Sequence, residues 1–110
     1  MENRPIPVSE ANVMIEQFIK YEQQQGIDPG KQTQSVSFTG NELMIWLNQT
    51  MPYADELRVC FGVYPTGDPN AGRVTVILWP YKNGEPASEP IEGKDGGGKI
   101  PPYNQGSLQP

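Results

Sequence analysis

Over the first quarter of the chain, apolar residues recur at spacings of three and four. Ala11, Met14, Ile15, Phe18 and Ile19, followed by Glu22, fall on one side of a 3.6-residue turn, while Glu16, Gln17, Lys20 and Gln23 fall on the other. This spacing predicts an amphipathic helix over residues 9–25. Ser9 is expected to cap its first amides, Glu10 to sit at the positive end of the helix dipole, and Gly26 to close the last turn. Pro29 then biases Asp28 away from helical geometry, so residues 26–30 read as a turn.

Beyond this turn the period changes. Ser35, Val36, Ser37 and Phe38 alternate polar with apolar and predict a short strand. Thr39 with Glu42 matches a capping box, and Leu43, Trp46, Leu47 and Thr50 share one face of a second helix that Pro52 stops. Residues 56–64 alternate strictly, with Leu57, Val59, Phe61 and Val63 on one side and Arg58, Cys60, Gly62 and Tyr64 on the other. In residues 73–81 one face carries Val74, Val76 and Leu78, but Thr75, Ile77, Trp79 and Tyr81 make the other largely apolar too. A strand of that kind is expected to be covered on both sides. The turn-forming residues 65–72 join these two strands as an antiparallel hairpin.

After residue 81 the composition shifts. Eleven of the 29 residues from 82 to 110 are Gly or Pro, which predicts an extended or disordered tail with one short edge strand near 87–91. The fold class expected is α+β, a small antiparallel sheet of three or four strands with two helices on one face. Residues 1–81 form that single domain and residues 82–110 the Gly/Pro-rich tail, since 110 residues fill one core.

Charge narrows the range of partners. Eight Lys and Arg against 13 Asp and Glu give a net charge of -5, which repels phosphate backbones and anionic membrane surfaces. No nucleic-acid or membrane partner is expected, and no run approaches the roughly 20 apolar residues of a spanning helix. The first five residues lack a basic segment followed by an apolar one, so a soluble, cytoplasmic protein is the expectation. With Cys60 alone there is no intramolecular disulfide.

Candidate chemistry is sparse. The chain contains no histidine, which removes Ser-His-Asp and Cys-His catalysis and the usual zinc ligand sets. Residues 93–99 spell G-x-x-x-x-G-K, but Ile100-Pro101-Pro102 follows, so neither the magnesium-binding hydroxyl nor the helix of a phosphate loop is present. Asp68 opens a calcium-loop pattern that ends on Trp79 where a bidentate acid is required. Asp55 and Glu56 are adjacent on a strand and so diverge. Asn48-Gln49-Thr50 matches a glycosylation sequon inside an expected helix. No catalytic, cofactor-binding or metal-binding residue is assigned, and no cofactor.

One surface is singled out. If both helices cover the face carrying Val59, Phe61, Val76 and Leu78, then Arg58, Cys60, Tyr64, Ile77, Trp79 and Tyr81 share an opposite face that needs a cover. The tail folded back, a second subunit in a two-fold homodimer, or another protein would supply it. The leading expectation is therefore a noncatalytic protein-association domain that uses this aromatic face and the tail. The rival is a small-ligand binder or enzyme with a pocket between sheet and tail, lined by Arg58, Cys60 and Tyr64.

The element order, with S-V-x-F at 35–38, L-R-V-C-F-G at 57–62 and V-T-V-I-L at 74–78, resembles small uncharacterised bacterial proteins of unknown function across residues 9–81. The Cys-Pro elements of such tails have no counterpart in residues 103–110, and the resemblance implies no activity and no site residue.

Overall fold

A computed structural model describes residues 3–89, 98–104 and 106–109. The fold is α+β, with two helices and small antiparallel sheets. Helix α1 (Val8–Gln24) starts one residue earlier than its period predicts. Pro7, not Ser9, holds the N-cap position, and its carbonyl accepts the first helical bond from Ala11 at 3.1 Å. No side chain caps the first-turn amides, and residues 8–10 are exposed, so water can satisfy them. At the other end Ile27 donates to the Glu22 carbonyl and Gly26, at φ 74°, to that of Gln23, which makes a Schellman closure.

Strand β1 (Ser35–Ser37) leads into helix α2 (Gly40–Thr50), which passes into a 3-10 turn at Met51–Tyr53 where Pro52 interrupts it. Thr39 occupies the N-cap, yet its hydroxyl makes no capping bond, so the expected capping box is not formed. Strands β2 (Glu56–Val63) and β3 (Val74–Lys82) make the hairpin, in antiparallel register from Glu56 opposite Tyr81 to Val63 opposite Val74. Asn83 and Gly84 both have positive φ, 52° and 78°, as a two-residue type I′ turn requires, and they fold β4 (Glu85–Pro86) back onto β3.

The C-terminal segment is extended, and it belongs to the fold. Strand β5 (Ser88–Glu89), inside the expected edge strand, pairs with β6 (Gly98–Lys99). Strand β7 (Ser107–Gln109) pairs with β1, Val36 opposite Leu108. Most of the G-x-x-x-x-G-K stretch, residues 93–97, and Ile91 lie outside the described residues.

The apolar core is small and lies along the seam between hairpin and C-terminal segment. Leu78, Ala87 and Ile100 are buried, and Pro80 is fully enclosed. The expected cover of the other residues is not found. Val59, Phe61 and Val63 are exposed, and so are Met14, Ile15 and Phe18 on the apolar stripe of α1. The radius of gyration is 17.0 Å, against about 13 Å for a compact chain of 100 residues. The helices therefore do not close over the β2 half of the sheet. Only Glu22 of α1 is deeply buried, where its carboxylate accepts from the Gln34 amide at 2.7 Å.

Candidate functional site

The hairpin has two faces and two edges, and each behaves differently. On the face expected to carry the interaction, the register puts Arg58 opposite Trp79 and Cys60 opposite Ile77. The Arg58 guanidinium lies 3.9 Å over the Tyr81 ring and its Nε donates to Glu56 at 2.8 Å. That hydrogen bond to Glu56 holds the Arg58 pKa above its ordinary value. Trp79 meets Tyr81 edge to face at 6.1 Å. Cys60, Ile77, Trp79 and Tyr81 are half-buried, and Arg58 is exposed. Tyr64 stands apart from these five, because its hydroxyl donates to Asn104 at 3.2 Å beside the hairpin loop.

The outer edge of β3 is occupied by side chains and by the C-terminal segment. Val74 donates its N-H to the Gln32 side-chain oxygen at 2.8 Å. Asn104 donates its amide to the Val76 carbonyl at 2.8 Å. Leu78 and Tyr103 exchange both backbone bonds at 2.8 Å, and Ala87 donates to the Pro80 carbonyl at 2.9 Å. Proline at position 80 fits here because it lacks the outward donor that an edge position can do without. Tyr103 also places its ring against Trp46 of α2, centroids 4.8 Å apart, and against Phe38, 5.5 Å. One residue thus ties the hairpin to the helix and to the end of β1.

In an antiparallel ladder alternate residues point their backbone groups inward or outward. Since residues 74, 76, 78 and 80 of β3 bond outward, their register partners Val63, Phe61, Val59 and Leu57 bond outward from β2. Strand β2 is the end strand of its sheet, and no partner for these outward groups is found among the described residues. Three of the four side chains are open as well, with Phe61 80 % exposed, Val63 63 % and Val59 55 %, while Leu57 is half-buried. Beside them Phe18 and Phe61 line one apolar cleft of about 190 Å³ with Val36, Val74 and Val76, so the open face runs on to α1. Sequence reasoning passed over this surface because it assigned the helices to cover it.

A second, polar cleft of about 310 Å³ lies between the hairpin loop and the C-terminal segment, lined by Tyr64, Asp68, Asn70 and Asn104. Arg58 and Cys60 do not line it, so the three residues expected around a sheet–tail pocket are not brought together. Among the described residues no group of three or more His, Cys, Asp or Glu is placed to hold a metal ion, and no helix is long and apolar enough to cross a membrane. The chain matches no protein-family model, no curated protein and no solved structure with which it was compared.

Proposed function

We propose that the chain is a noncatalytic protein-association domain whose contact surface is the β2 side of the sheet. The observation that carries this reading is the exposure of Phe61, 80 %, at the centre of an apolar strip whose backbone groups are also unpaired among the described residues. Burying one such side chain is worth roughly 1.5–3 kcal/mol, and pairing the open edge adds backbone bonds to that gain. The C-terminal segment serves association indirectly. By occupying the β3 edge it leaves β2 as the long edge free to add a strand. The aromatic face first expected to do this is already half-buried, with Arg58 stacked on Tyr81. The rival ligand-binding reading has a cleft, but its polar groups are engaged within the chain: the Tyr64 hydroxyl on Asn104, and the Asn104 amide on Val76.

The test is the particle mass of the full chain, pure and in cell extract, beside Phe61→Glu. A particle heavier than 12.2 kDa in either setting that shrinks to the monomer in the variant is the expected result. A mass that Phe61→Glu leaves unchanged, or a 12.2 kDa particle in both settings, overturns the reading.

A further inference from the structure

We infer that the partner is a second copy of this chain, added antiparallel along β2 in a two-fold register centred on Cys60. The inference rests on the association reading and names its occupant. What covers the β2 edge has to be a strand, because the outward groups there are backbone donors and acceptors in ladder spacing. Leu57, Val59, Phe61 and Val63 carry them, an uncharged set at every second position.

A two-fold axis fixes which registers are allowed. Outward-bonding residues must face outward-bonding residues, so the position numbers of each facing pair sum to an even number. With the axis at Cys60, Leu57 faces Val63 of the second copy and Val59 faces Phe61, and all four outward-bonding residues on each strand are used. Moving the axis to position 59 leaves Val63 facing Asp55 beyond the end of the strand, and moving it to 61 leaves Leu57 facing Pro65. Both alternatives lose bonds.

The same register is free of charge conflict. Arg58 faces Gly62 of the second copy and Glu56 faces Tyr64, so no like charges stand opposite one another. The charges of the strand already cancel within it, through the Glu56–Arg58 pair at 2.8 Å. The product is one continuous six-stranded sheet in the order β4-β3-β2-β2-β3-β4. The apolar strip doubles on one face of it, and the Phe18–Phe61 cleft flanks that strip in each copy. Stable interfaces cover about 800 Å² per partner, more than one strand edge provides, and the exposed Phe18 of α1, which lines the cleft with Phe61, is the further apolar surface within reach of the pairing.

Cys60 reports the register. On the axis it faces its own copy as a non-hydrogen-bonded pair, with Cα atoms about 4.5 Å apart, inside the range a disulfide spans. Diamide, which takes up the two thiol hydrogens as the bond forms, is expected to convert the purified full chain to a covalent dimer without denaturant. Sedimentation equilibrium is expected to give twice 12.2 kDa. Val59→Pro removes an outward N-H that β3 does not use, and Val59→Lys places a charge on the open edge; both are expected to sediment as monomers with unchanged far-UV circular dichroism. A pure wild-type chain that is monomeric overturns the inference. If that chain still enters a heavier, Phe61→Glu-sensitive particle in extract, the association reading survives while the second copy is lost as its partner. A dimer that persists in both Val59 variants, or one that yields no Cys60 disulfide, overturns the edge pairing or its register respectively.

Discussion

Along the outer edge of β3, Val74 meets Gln32, Val76 meets Asn104, Leu78 meets Tyr103 and Pro80 meets Ala87. Along the outer edge of β2, the facing residues Val63, Phe61, Val59 and Leu57 meet no such partner among the described residues. The two strands have similar length, but β2 alternates strictly whereas β3 is largely apolar on both faces, and the chain encloses the edge of β3 and leaves that of β2 in water. The difference teaches that the strand apolar on both faces is the one whose edge is closed, and that segments remote in sequence close it. It also divides the molecule into a side that packs within the chain and a side left exposed, where the proposed association would act.

The most severe way to break this comparison is to remove the segment that closes β3. Truncation after Lys99 deletes the buried Ile100, the Tyr103 bridge, the Asn104 bond and β7. Losing one buried isoleucine to alanine alone costs about 2–5 kcal/mol. The truncated chain is therefore expected to lose most of its cooperative urea transition. A transition of unchanged midpoint and slope would mean that the closed edge contributes nothing to stability. Tyr103→Ala is the finer cut, because the backbone bonds to Leu78 remain while the ring leaves Trp46 and Phe38. A loss of about 2–3 kcal/mol is expected in a denaturant titration.

Much of this division could not be read in the chain. Period-two alternation at 56–64 and 73–81 located the hairpin to within a residue or two, and the 3.6 period located α1. Alternation separates the two faces of a strand, yet it does not say which face is covered, nor which edge. The closing residues Gln32, Tyr103 and Asn104 are polar or amphipathic single positions in turn-like or Gly/Pro-rich sequence, and such positions carry no period. Another signal was in plain sight and went unused. Asn83-Gly84 after a β run is the dipeptide of a type I′ turn, and it marks residues 85–86 as a returning strand rather than the start of a loose tail. Five residues of the expected interaction face could be grouped by parity, whereas the commitment of Tyr64 to Asn104 depended on a contact 40 residues away.

Gly106 sharpens the comparison at intermediate cost. A Cβ built there would collide with Val36 and would stand 2.9 Å from the Ser37 carbonyl oxygen, which is backbone and cannot swing aside. Gly106→Ala is expected to lower stability by about 1–3 kcal/mol, the range for forcing an extra carbon into a packed site. Thermal melts of the two forms check this. Asn104→Ala should cost about 1–2 kcal/mol, since it leaves the Val76 carbonyl without its side-chain donor and takes the acceptor from the Tyr64 hydroxyl. A Gly106→Ala chain as stable as wild type would mean that β7 does not lie against β1 as closely as the fold requires.

The smallest effect is expected on the open edge, and it separates the two sides most cleanly. Phe61 is the largest apolar residue of β2, yet it is 80 % exposed, so truncating it removes little that the monomer buries. Measured at a dilution where the chain is monomeric, Phe61→Ser should change unfolding free energy by no more than about 0.5 kcal/mol. A loss of 3 kcal/mol or more, the cost of emptying a core phenylalanine, would show that Phe61 is packed within its own chain. At higher concentration the two forms should diverge. The proposed association would stabilise only the folded state, so the melting temperature of the wild-type chain is expected to rise with concentration. That of Phe61→Ser is expected to stay flat, and a parallel rise in both forms would count against the proposed role of Phe61, whose side chain the single chain leaves 80 % exposed.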